Sequence, residues 1–155
     1  MPSYKGHLVG GLCVGAILLY LLRVTFYPVS LIKAIELLIC CLAGSLFPDI
    51  DTKSRGQRYF YYSIFCILIF CALYKKYQAC SCISIVSFLP LLVPHRGLCH
   101  RLWFVIVVPL TVWFLCYVYV STAYARLYSL NILFFIAGAI SHLWLDLGFR
   151  RMFRF

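Results

Sequence analysis

Pro94-His95-Arg96-Gly97-Leu98-Cys99-His100-Arg101 lies between two long apolar runs, Ala79 to Val93 and Leu102 to Tyr124. Two imidazoles and two guanidinium groups fall within these eight residues, and the chain on both sides is almost free of charge. A polar knot at the point where one apolar run stops and the next begins reads as a loop at the edge of a bilayer, with a span on either side. Polar groups beside a hydrocarbon phase cost several kcal/mol each unless they are paired or bound to something. The knot is therefore also a candidate functional site.

Outward from the knot the same pattern repeats. The 155 residues are 65% hydrophobic and 12% charged, which excludes an ordinary soluble domain. The apolar runs are about 15 to 24 residues long, enough or nearly enough to cross about 30 Å of hydrocarbon at 1.5 Å per residue. They predict spans over residues 8–26, 29–47, 59–74, 79–93, 102–124 and 131–147, joined by short polar turns. The fold class is thus all-α, a polytopic membrane bundle of about six transmembrane helices, with residues 1–155 as a single domain. The run over 79–93 is the shortest and would be a short or partly re-entrant span. Gly6, Gly10, Gly11 and Gly15 give the first span the small-residue spacing that permits close helix approach. Pro109 predicts a kink in the fifth, and Arg126 to Ser129 a turn before the sixth.

The formal net charge is +10. The basic residues sit in short loops between apolar runs and form no continuous basic face, which argues against nucleic acid as a direct partner and for membrane lipids. The nine cysteines fall mostly inside apolar runs, where a thiol behaves as a small hydrophobe, and none is spaced Cys-x-x-Cys.

The chain has four histidines and four acids: His7, His95, His100, His142, Glu36, Asp49, Asp51 and Asp146. With six spans, all but Glu36 emerge at one membrane face. Imidazole and carboxylate are the usual ligands of zinc, manganese and non-haem iron. His142 and Asp146, four apart on a helix, project from one side, and Asp49 and Asp51 aim two carboxylates from a turn. The expected metal ligands are His7, Asp49, Asp51, His95, His100, His142 and Asp146. Seven exceed the needs of one tetrahedral ion, so either two divalent ions about 3.5 to 4 Å apart or one ion with an outer shell of carboxylates is expected, zinc foremost. Glu36 reads as a partner of Lys33 or as a polar group facing the bundle interior.

Four motifs, His7 near the first span, Pro48-Asp49-Ile50-Asp51 after the second, His95-Arg96-Gly97-Leu98-Cys99-His100 midway and His142-Leu143-Trp144-Leu145-Asp146 in the last, resemble those of the bacterial membrane-bound metal-dependent hydrolases. That family is also described as LexA-binding and inner-membrane-associated. The resemblance covers nearly the whole chain and departs at Cys99, where Thr or Ser is common. It implies an inner-membrane hydrolase, with a cytoplasmic protein partner as the alternative implication.

The chemistry expected of such a site is hydrolysis of a phosphoester or ester bond in a lipid-like substrate by a metal-activated water. Arg96, Arg55 and Arg101 would neutralise substrate charge, Arg96 as a fork onto phosphate. Nine basic residues fall on the motif face against five opposite (Arg23, Lys33, Lys75, Lys76 and Arg126), which predicts that the motif face is cytoplasmic. The alternative is a non-catalytic regulatory membrane protein whose metal site is structural. An ion carrier fits less well, because its ligands would lie near mid-membrane.

Overall fold

The computed structural model describes residues 4–25, 29–51, 55–75, 84 and 99–152. All regular structure among them is helical: α1 (Tyr4–Thr25), α2 (Leu31–Leu46), a 3-10 turn (Phe47–Asp51), α3 (Arg55–Leu73), α4 (Leu102–Leu115), a π turn (Cys116–Val120) and α5 (Thr122–Met152). Four stretches are long and apolar enough to cross a membrane: Tyr4–Thr25, Leu31–Asp49, Leu102–Tyr119 and Thr122–Gly148. The chain is a membrane helix bundle. Of the six expected spans, the third corresponds to α3, and the fourth lies outside the described residues apart from Ser84.

Two compact units divide the chain, one of Met1–Pro48 with His100–Phe155 and one of Asp49–Cys99. In the second, α3 ends in a turn at Lys75, whose φ of 55° is left-handed and whose N–H donates to the Ala72 carbonyl.

The first unit holds α1, α2, α4 and α5. Its outer surface is oily: Ile32, Tyr119, Leu31 and Val24 are each more than 65% exposed, as befits side chains facing lipid. Its interior is held by close backbone approach. A Cβ on Gly11 would lie 2.6 Å from Ser45 Oγ, and one on Gly15 2.9 Å from Leu38 Cδ2, so the glycine stripe of α1 packs on α2. Cys41 Sγ donates to the Gly11 carbonyl at 3.2 Å in the same interface.

The tighter crossing is between α2 and α5. A Cβ on Gly44 would collide with the backbone carbonyl of Phe135, and one on Gly138 with that of Cys41. These are small-residue runs, Ala43-Gly44-Ser45 and Ala137-Gly138-Ala139. Leu37, Cys41 and Phe134 form one buried cluster, and Val105, Ala139 and Leu143 another against α4.

Helix ends follow local chemistry. Ser30 caps α2, its side chain accepting from the Lys33 N–H, and Phe47 and Pro48 convert the last turn of α2 into the 3-10 segment. Phe47 packs edge-on against Phe135 at 5.3 Å between ring centroids, and Pro48 is buried.

The turn expected over Arg126–Ser129 is instead helix. The helix is interrupted at Ser121, whose hydroxyl accepts from the Ala123 N–H, and α5 starts at Thr122, nine residues before the expected span at 131. Trp113 Nε1 donates to the Ala125 carbonyl at 2.8 Å and ties the end of α4 to this start. α4 continues through a buried Pro109. At the far end α5 breaks at Gly148, whose φ of 66° and ψ of 161° only glycine adopts readily.

Glu36 resolves to a partner of Lys33 at the α2–α5 interface. Lys33 Nζ donates to Glu36 Oε1 at 3.2 Å and to Asn131 Oδ1 at 2.8 Å, while Asn131 Nδ2 donates to the same Glu36 oxygen at 2.6 Å. Three polar groups thus satisfy one another within an apolar span.

Candidate metal centre

The first unit brings the start of α1, the end of α2, the residues before α4 and the end of α5 to one pole. His7 lies in the first turn of α1, His100 two residues before α4, and His142 and Asp146 one turn apart on α5. Their i, i+4 spacing puts the last two on one face. His142 Nε2 lies 3.5 Å and His100 Nε2 3.8 Å from Asp146 Oδ2, while His7 Nε2 lies 3.3 Å from Asp146 Oδ1. The side chains of His7, His142 and Asp146 are at most 3% exposed, and that of His100 is 11% exposed.

His142 is fixed from behind. Its Nδ1 lies 2.7 Å from the Ser45 carbonyl, which can only accept, so Nδ1 carries the proton and Nε2 faces Asp146. Its ring also stacks on that of His7, with centroids 3.8 Å apart and an interplanar angle of 17°, and meets His100 edge-on at 5.7 Å.

A buried carboxylate ringed by imidazoles leaves a negative charge to be balanced, and a divalent cation does so with ligands it prefers. His100, His142 and Asp146 each offer a ligand atom within 4.8 Å of the others, a spacing that could hold a metal ion. Asp146 Oδ1 and His7 Nδ1 are buried and meet no hydrogen-bond geometry among the described residues. The donor set therefore fits a metal.

A family model described as YdjM inner membrane protein matches residues 1–151. The chain belongs to that family. Membership of the YdjM family supports the inner-membrane part of the resemblance drawn from the four motifs. No curated protein and no solved structure matches the chain.

The other expected site residues are distributed as follows. Asp49 and Asp51 open the second unit on the 3-10 turn directly after Pro48, and the side chain of Asp51 is outside the description. His95 and Arg96 lie outside the described residues. Arg55 begins α3, its side chain likewise outside the description. Arg101 is the exposed N-cap residue of α4, next to His100. Sequence reasoning missed the Ser45 carbonyl, a backbone group that no side-chain pattern announces. The small residues around it, which let α2 and α5 touch, were the available signal.

Proposed function

We propose that this YdjM-family protein is a membrane-embedded, metal-dependent hydrolase that cleaves a phosphoester or ester bond of a lipid-like substrate at the cytoplasmic face of the inner membrane. The observation that carries the reading is the buried Asp146 carboxylate with three imidazole Nε2 atoms at 3.3 to 3.8 Å, at the end of spans rather than mid-membrane. His100, His142 and Asp146 hold the metal, with Asp49, Asp51 and His95 as the further ligands nominated by their motifs. Zinc is the first candidate for this mixed nitrogen and oxygen donor set.

A bound divalent ion supplies Lewis acidity and a water of lowered pKa. The protein's part is positional. The α2 carbonyl of Ser45 holds the His142 tautomer, and the oily flanks of α1 and α4 keep the site at headgroup depth, where a lipid phosphoester presents itself. Arg101, exposed beside His100, is placed to receive an anionic headgroup, and Arg96 and Arg55 share that role.

The test is phosphate release from lipid phosphoesters by the detergent-purified protein. The expected result is release that a chelator abolishes and added zinc restores. Unchanged release after complete metal removal contradicts the proposal.

A further inference from the structure

We infer that His7 is a positioning residue for the Asp146 carboxylate and not a ligand of the metal that His142 binds; the inference rests on the metal reading above. Ring geometry carries it. The lone pair of an imidazole nitrogen lies in the ring plane, so an ion bound by His142 Nε2 sits in or near the His142 plane, about 2.0 to 2.1 Å from that nitrogen. The His7 ring is stacked nearly parallel on the His142 ring, at 3.8 Å between centroids and 17° between planes. An ion in one of two stacked planes stands well out of the other. A single ion cannot take an in-plane bond from both rings.

The carboxylate divides the same way. His100 and His142 approach Asp146 Oδ2, whereas His7 approaches the opposite oxygen, Oδ1. His7 also falls outside the group of ligand atoms that lie within 4.8 Å of one another. Its Nε2 lies 3.3 Å from Oδ1, in a contact that falls short of hydrogen-bond geometry. His7 Nδ1 is buried with no acceptor among the described residues, so the ring proton is better held on Nε2, beside the carboxylate. His7 therefore sets Nε2 beside Oδ1, leaving Oδ2 to face His100 and His142, and its ring lies against the ring of His142. Outer groups of this kind typically set metal affinity within a factor of about 10 to 100.

The experiment uses the full-length protein in detergent, stripped by chelator and titrated with Co²⁺, whose visible absorption bands report the ligand set. His7→Leu removes the polar nitrogen beside Oδ1, His7→Gln replaces it with an amide of similar reach, and His142→Ala is the ligand-loss control. The expected result is wild-type band positions and stoichiometry in both His7 variants, with affinity about 10 to 100-fold weaker in His7→Leu and partly recovered in His7→Gln. Bands altered as in His142→Ala, or one Co²⁺ equivalent lost, would overturn the assignment while leaving the metal reading intact. So would an affinity in His7→Leu equal to wild type. Failure of the wild-type protein to bind Co²⁺ at all would overturn both.

Discussion

His142 donates from Nδ1 to the Ser45 carbonyl at 2.7 Å, across the interface where α2 and α5 touch backbone to backbone. This bond links helix packing to site chemistry, because the tautomer of His142 depends on where α2 ends. Removing the imidazole with His142→Ala should weaken metal binding by more than the roughly 10 to 100-fold typical of outer groups. Competition with a chromophoric chelator measures it.

The α2–α5 crossing should tolerate no added side-chain atom. Gly44→Ala or Gly138→Ala sets a methyl group against a carbonyl on the facing backbone, and overpacking of this kind costs about 1 to 3 kcal/mol or more. Thermal unfolding in detergent should show a midpoint several degrees lower for each variant, together with weakened metal binding as Ser45 shifts.

The Lys33–Glu36–Asn131 network should matter for stability and not for the site. Asn131 precedes His142 by eleven residues, about 16 Å along the helix. Asn131→Leu leaves the Lys33 and Glu36 groups short of a partner within the span, at a cost of about 1 to 3 kcal/mol. The unfolding midpoint should fall while metal affinity stays at the wild-type value.

A catalytic site and a structural one part company at His100, which is the most exposed of the three imidazoles. His100→Ala should abolish chelator-sensitive hydrolysis while the detergent-purified protein keeps its helical circular dichroism. Loss of the helical signal together with the activity would favour the regulatory alternative, in which the metal holds the fold.

Much of the architecture was legible because hydrocarbon imposes a length on each span. Pro48 marked the end of α2, and the run from Asn131 to Leu147 stops at the Gly148 break. Ser121 was passed over because Ser and Thr within an apolar run are common in membrane helices, and only the interruption of the helix reveals the residue as a cap. The convergence of His7, His142 and Asp146 followed from counting crossings. Which carboxylate oxygen each imidazole meets did not, since that depends on how α1 lies on α2 and α5 through glycines whose partners no spacing identifies. His95 and Arg96, at the centre of the knot, fall outside the described residues.

Metal content of the purified protein, measured by mass spectrometry against protein concentration, tests the central claim most directly. The wild-type protein should carry at least about one equivalent of a divalent transition metal, and Asp146→Asn, which keeps the size of the side chain but removes its charge, should carry far less. A wild-type protein free of metal after purification and after incubation with zinc, or an Asp146→Asn variant loaded to the wild-type level, would contradict the account.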